Sequence, residues 1–489
     1  MQKRIVLCLL ALLLTASATA CGNTAEETTT TDTTAVDTTA EETVVETTAL
    51  EGLEKEQFDG RAYTVLDAND HAYMHINIHV GELNGDAIND AIYNRDLQVS
   101  EKANVLLQYE QVEPAATGCT QFQNNVMAGD ETYQLIIGPA LGKAIAQLGT
   151  NGVLYDLNEI ADSSSAVDWT SPWWSALMYD TMQIKDKFFF TTGDIAASVY
   201  QAPFCVFYNV DLGIDYGFAV EDLYADVQNG DWTYDLFFSM GEGLNQDLDG
   251  NNKYNEEDFA GIVIQTGYDS LNALMTSCGI HMSEIDEEGN LVVNLMNEKT
   301  IDVMDKMHHL YDPCYQYTDN KSSTHYMFPE GRGLFLLHKV ETATAALREM
   351  EDDFAILPMP KYDTTQNTYY SLVSGWVDCF IAMPKNVTDP AFNGYVTEAL
   401  ARAAYDTVRP AAFETTLKGK TARDAESVAM LDLIFNTLYC DFNCLHNFGS
   451  ICTKMADWVV KGEGFASGYA SVETAIQSAI DTLTDSYSK

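Results

Sequence analysis

Residues 247–258 set oxygen-bearing side chains at a spacing that suits a hard cation. Asp247, Asp249, Asn251, Asn255 and Asp258 fall at positions 1, 3, 5, 9 and 12 of a twelve-residue loop, and Lys253 offers its backbone carbonyl at position 7. Alternate side chains then turn inward toward one ion, as in an EF-hand-type calcium loop. Two positions depart from that pattern. Asn252 stands where glycine is usual, and Asp258 replaces a bidentate glutamate. Asparagine tolerates the left-handed conformation, so the turn survives. A solvated acidic turn is the competing reading, and the expectation is one structural Ca²⁺. His71, His75 and His79 are spaced by four, which on a helix would align three imidazoles for zinc. Their neighbours Asn77, Ile78 and Val80 read as strand or loop, so surface histidines are expected instead. No GxSxG elbow, HExxH helix or glycine-rich phosphate loop occurs.

The chain that must position these groups has 489 residues, enough for two or three domains, and is 46% hydrophobic. Its formal charge of −47 repels nucleic acid, anionic lipid and phosphorylated ligands, and suits neutral ligands and divalent cations. Lys3 and Arg4 precede a ten-residue apolar run, Ile5 to Leu14, too short to span a membrane but suited to a secretory signal over residues 1–20. Cys21 behind the small residues reads as a lipobox cysteine, although Ala18 stands where leucine is usual. Residues 21–57 are threonine and acid with almost nothing apolar, so they are expected to be a lipidated tether. Eight cysteines remain in the body after Cys8 and Cys21. Export permits disulfides, while Cys205 and Cys379 sit in apolar runs where a free thiol acts as a small hydrophobe. Cys440 and Cys444 would share a face if that segment is helical.

From Phe58 on, apolar runs and helical spacings alternate. Strands are expected at 62–67, 105–109, 133–137, 188–192, 205–208, 333–337, 354–357 and 377–382, with helices at 88–102, 120–127, 396–405 and 427–438. That rhythm predicts an α/β fold with parallel sheets covered by helices.

Several landmarks then fall in a telling order. Asn89-Asp90-Ala91-Ile92-Tyr93-Asn94-Arg95, Met127-Ala128-Gly129-Asp130, Tyr155-Asp156-Leu157, Gly193-Asp194 and Phe207-Tyr208-Asn209 come first. Asp231-Trp232-Thr233, Leu357-Pro358-Met359-Pro360-Lys361 and Ser374-Gly375-Trp376 follow. Together with the lipobox, this order resembles bacterial family 1 extracellular solute-binding proteins, the lipoprotein receptors of ABC sugar importers. The resemblance implies a two-lobe periplasmic-binding-protein-like fold, with hinge crossovers and a ligand cleft between the lobes. It implies an N-terminal lobe of residues 58–204 plus 331–374 and a C-terminal lobe of 205–330 plus 375–489. Crossings are expected near 205–209, 333–337 and 375–382. Calcium loops are known insertions in such proteins, and an aspartate at position 12 resembles dockerin-type loops.

A carbohydrate stacks its pyranose faces on flat rings and needs acids, amides or arginines for its hydroxyls. Trp376, Trp174 and Tyr268 are therefore the expected platforms, with Asp194 and Arg332 as polar partners; Trp173 is a further candidate. Trp232 is expected to pack a helix start that Asp231 caps. The expected protein is a monomeric, non-enzymatic lipoprotein on the outer face of the membrane that passes a neutral solute to ABC permease subunits. An exported glycoside hydrolase and a sensory receptor on the same fold are the alternatives.

Overall fold

The computed structural model describes residues 48–140, 144–252, 255, 257–265, 267–311, 315–317, 327–417, 425–462 and 464–487. Signal, lipobox cysteine and most of the tether lie outside these residues, as does Lys253.

The folded body begins earlier than Phe58. Leu50 and Leu53 are buried, and the Asp406 carboxylate accepts the backbone N–H groups of Ala49 and Leu50 at 3.0 and 2.8 Å. Only the part of the 21–57 segment before these residues is free to be a tether.

Two sheets organise the body. In the first, strand Arg61–Ala68 pairs in parallel with Val105–Val112 on one side and Leu135–Pro139 on the other, and Cys379–Ala382 runs antiparallel beside Leu135–Pro139. In the second, Tyr315–Tyr317, Ala260–Gln265 and Gly333–Lys339 run parallel. Phe204–Asn209 and then Phe354–Pro358 complete this sheet, each pairing antiparallel to its neighbour. Leu135–Pro139, Phe204–Asn209 and Phe354–Pro358 are buried at every position. Helices cover both faces of such sheets, which is why these strands read as unbroken apolar runs.

Helices start where the sequence offers a cap. The Asp86 carboxylate accepts the N–H groups of Ile88 and Asn89 ahead of Ala87–Ala103, and left-handed Asn104 ends that helix at φ 50°. Thr233, not Asp231, caps Tyr234–Gly241 through the Leu236 N–H. Trp232 is fully buried behind it and donates its indole N–H to the Pro358 carbonyl at 2.8 Å.

Two segments join the sheets. Thr191 bridges Ile381 and Pro203 bridges Val373, so residues 191–203 and 373–381 cross side by side in opposite directions. Ser374 seals the crossing by donating its N–H to the Ala202 carbonyl at 2.9 Å. A third passage follows. Helix Pro390–Leu417 packs on Ala87–Ala103 of the first lobe, and Ala425–Asn436 packs on Phe354–Pro358 of the second.

This topology corrects the expected lobe division. Residues 331–374 were assigned to the N-terminal lobe, yet Gly333–Lys339 and Phe354–Pro358 belong to the second sheet. Cys379–Ala382 was assigned to the C-terminal lobe and closes the first. The expected crossing at 333–337 is thus a strand inside one lobe; its chain direction matches Ala260–Gln265, and its apolar side chains fill that sheet's core.

Six described cysteines, at 119, 205, 278, 379, 440 and 452, are buried, and those at 119, 205, 278 and 379 are free thiols. Cys440 precedes the short helix Phe442–His446 rather than sharing a face with Cys444.

Candidate functional site

The lobe crossing carries an exposed indole, Trp376, beside the half-buried ring of Tyr268. Ser374 and Gly375 are buried, and the next residue, Trp376, is 56% exposed. An indole N–H can only donate, and Trp376 lies near enough to the Tyr268 phenol to lower its pKa slightly. Burial pushes that phenol up to about 12, so it stays neutral at any physiological pH. Tyr268 begins helix Tyr268–Ser277, three residues after strand Ala260–Gln265 ends.

Acids and hydroxyls surround the pair. Asp269, in the first turn of that helix, accepts the Ser374 hydroxyl at 2.5 Å. Burial raises its carboxyl above the usual range, while the Ser374 bond and the Lys339 charge oppose the rise. Lys339 closes strand Gly333–Lys339 and pairs with Glu341 at 2.7 Å. The carboxyl ends of two parallel strands therefore converge beside Trp376, and in open α/β sheets ligands bind at such ends.

The first lobe offers its own strand ends to the same crossing. Arg61–Ala68 and Leu135–Pro139 finish on the side where Cys379 begins its antiparallel strand, three residues past Trp376. Asn69 follows Ala68, donates to Asp67 at 2.6 Å and faces the Cys379 thiol. Tyr73 on the next turn is 69% exposed and stacks on His71 at 5.3 Å. Exposed ring faces beside acids, amides and hydroxyls suit a neutral, hydroxyl-rich ligand.

Three expected contacts lie elsewhere. Trp174 is 4% exposed, and its indole N–H binds Glu398 Oε2 at 2.8 Å; Trp173 binds Oε1 of the same carboxylate at 2.8 Å. Both indoles thus anchor helix Pro390–Leu417 rather than face a cleft. Gly193 allows this packing, because a Cβ there would sit 2.3 Å from the Trp173 carbonyl oxygen. Asp194 is buried, lies 3.7 Å from Arg409, and is pushed up to about 6 by desolvation against the Arg409 charge. Arg332 pairs with Glu330 at 2.6 Å, before the start of Gly333–Lys339. That strand's crossing end is Lys339, roughly 20 Å away at 3.3 Å per residue, so Arg332 does not reach the site.

The histidines do not form a metal set. His75 is buried between Asp67, at 2.7 Å, and Glu113, at 3.6 Å, and is not the surface residue expected. Hydrogen bonding to Asp67 raises its pKa despite burial. His79 pairs with Asp96 at 2.8 Å and stacks on Tyr109, and only the four residues Ala72–His75 are helical.

The acidic loop folds inward. One oxygen each of Asp247, Asp249 and Asp258 lies within 4.8 Å of the others. Asp258 is buried and accepts the N–H groups of Leu248 and Asn255 at 2.9 and 2.8 Å. Asp247 accepts those of Gly250 and Asn252 at 2.7 and 2.8 Å. Asn252 adopts φ 58°, the left-handed turn that position 6 requires.

Asp269, Lys339, Glu341 and Tyr73 were not read from the sequence. The signal for Asp269 was Tyr-Asp opening a helix directly behind the apolar run Gly261–Ile264, the strand-to-helix turn at which α/β sites are built.

No family model matches the chain, and no curated protein matches it in sequence. Solved structures do match its fold. A cyclo/maltodextrin-binding protein in complex with maltotetraose aligns at TM-score 0.54 and 11% identity, over 88% of this chain and 97% of that one. A cyclic α-maltosyl-1,6-maltose binding protein from Arthrobacter globiformis aligns at 0.52 and 13% identity, over 88% and 99%. The galacto-N-biose/lacto-N-biose I-binding protein of the ABC transporter from Bifidobacterium longum, in complex with lacto-N-biose, aligns at 0.50 and 11%, over 88% and 98%. Two sheets, paired crossing segments and strand ends converging on Trp376 are thus the two-lobe α/β architecture of the periplasmic-binding-protein fold.

Proposed function

We propose that this protein is a non-enzymatic solute-binding lipoprotein that captures a neutral carbohydrate between its lobes, by hinge closure, and delivers it to the membrane subunits of an ABC importer. The observation that carries the reading is the exposed indole of Trp376 beside half-buried Tyr268, where the strands of both sheets end. The sugars named for the three structural neighbours support the same ligand class. Trp376 would stack on a sugar face, while Asp269 and Glu341 would take its hydroxyls. A thermal-shift screen of the full chain against sugars tests this. Stabilisation by an oligosaccharide is expected; no shift from any neutral sugar, alongside a shift from peptides or polyamines, would overturn the ligand class.

The acidic loop is assigned a structural Ca²⁺ held by Asp247, Asp249, Asn251, Asn255 and Asp258, with the Lys253 carbonyl. Calcium–oxygen bonds of 2.3–2.6 Å set ligands across an ion about 5 Å apart, and a carboxylate spread within 4.8 Å fits. Bound there, the ion would stiffen the loop ahead of strand Ala260–Gln265. Cys21 is assigned the lipid anchor, two acyl chains on one residue giving stable attachment where one chain would not. The protein then acts as a monomer on the outer face of the membrane.

A further inference from the structure

Behind the aromatic pair lies a small cavity, and one of its walls holds an uncommitted amide. Tyr268, Asn272, Met282, Val373, Gly375 and Asn447 are among the residues enclosing a volume of about 40 Å³. Asn272 follows Tyr268 by four residues on helix Tyr268–Ser277, hence on the same face. It is 6% exposed, and its Oδ1 has no hydrogen-bond partner among the described residues. Such a group costs stability unless something else satisfies it.

Several other polar groups of the wall are committed. The Asp441 carboxylate accepts the N–H groups of Met282 and Ser283 at 2.9 and 3.1 Å. The Asn443 amide donates to the Met282 carbonyl and accepts the Phe448 N–H. Asn447 Oδ1 accepts the Cys452 N–H at 3.1 Å. Asn272 is the acceptor left to meet an incoming group, and Met282, Leu372 and Val373 supply apolar walls.

Size narrows the occupant. One water needs about 10–15 Å³ of such volume, so 40 Å³ takes an arm of two or three non-hydrogen atoms and not a sugar ring. The arm must be apolar along its length and end in a hydrogen-bond donor. We propose that this cavity receives the hydroxymethyl arm of a hexose unit stacked on the Trp376–Tyr268 pair, with Asn272 accepting its hydroxyl. The inference rests on the carbohydrate reading above. It makes Asn272 a specificity residue that separates hexose-built from pentose-built saccharides.

The test uses the full chain with maltotriose, cellotriose and xylotriose, the last two differing only in their hydroxymethyl groups, by calorimetry and thermal shift. Wild type is expected to bind at least one hexose trisaccharide about tenfold or more tightly than xylotriose, the scale of one good hydrogen bond. Asn272→Leu, which grows into the cavity, should raise the melting temperature of the ligand-free protein and abolish the preference. Asn272→Ala should also abolish it, and keeps the test open if leucine does not fit. Equal binding of hexose and pentose forms by wild type, or a preference that survives both substitutions, would overturn the subsite alone. Lower ligand-free melting temperatures for both Asn272→Leu and Asn272→Ala would show that the amide is structurally paired, and would overturn it too. Failure of all three sugars to bind wild type would overturn the carbohydrate reading and this proposal with it.

Discussion

Trp376→Ala separates a platform from a core residue. More than half of this side chain faces solvent, so truncating it removes well under half of the apolar burial that a core tryptophan supplies. Buried Trp→Ala changes cost about 3–5 kcal/mol, so the expected loss of folding stability is about 1–2 kcal/mol. A sugar face stacked on the indole would cover some 50–80 Å² of apolar surface, worth about 1–2 kcal/mol at 25 cal/mol per Å². Affinity should therefore fall roughly tenfold. Trp174→Ala is the matched control. Its indole is buried and half-satisfies Glu398, so that change should cost about 3–5 kcal/mol and leave the ligand-contacting groups intact. The assay is calorimetric binding of the tightest sugar from the screen, with a melting curve for each variant. Undiminished affinity in Trp376→Ala together with a collapsed melting temperature would refute the assignment.

Chelating calcium should lower the melting temperature, because an ion bound only to the folded state stabilises it by mass action. Asp258→Ala should abolish that response, and a wild-type melting point indifferent to chelator would remove the metal assignment. Desolvation pushes the buried Asp378 carboxyl up to about 7 and Asp194 up to about 6, both from 3.8. The unfolded chain then gives up these protons first, so stability should fall as pH rises from about 4 to 7. Asp378→Asn should flatten that decline, measured as melting temperature against pH; an unchanged slope would count against the raised carboxyl. Cys21→Ser should release the protein to the medium, and unchanged membrane fractionation would refute the anchor.

Local order was legible where a segment declares itself. The strand at 354–358 was expected to within one residue and the one at 105–112 over its first five, since β-branched and apolar runs between polar turns have few other fates. Strand Ala260–Gln265 escaped because Ala-Gly opens it, and glycine weakens the strand signal. The lobe division failed for a different reason. Strands buried on both faces carry no alternation to show which sheet they join, so Gly333–Lys339 fitted either lobe. Site residues divide likewise. The exposed place of Trp376 at the crossing could be read from its neighbours, Ser374-Gly375 before it and an apolar strand after. Trp174 and Asp194 could not, because their fates depend on Glu398 and Arg409, more than 200 residues away in sequence. Asn272 needed only the four-residue step from Tyr268, a signal present but unused.

Of the six tryptophans, Trp169, Trp173, Trp174 and Trp232 are buried, Trp458 is partly covered, and Trp376 stands largely in water. An indole in water emits at longer wavelength than one in a dry core, so the red edge of the protein's intrinsic fluorescence comes mainly from a single residue at the lobe crossing. A sugar face laid on that ring, as proposed, would shift its emission to the blue while the buried indoles stayed constant. The molecule would thereby carry a built-in optical gauge of occupancy, readable by stopped flow without any label. Ligands can then be sorted by how fast they enter and leave as well as by how tightly they bind.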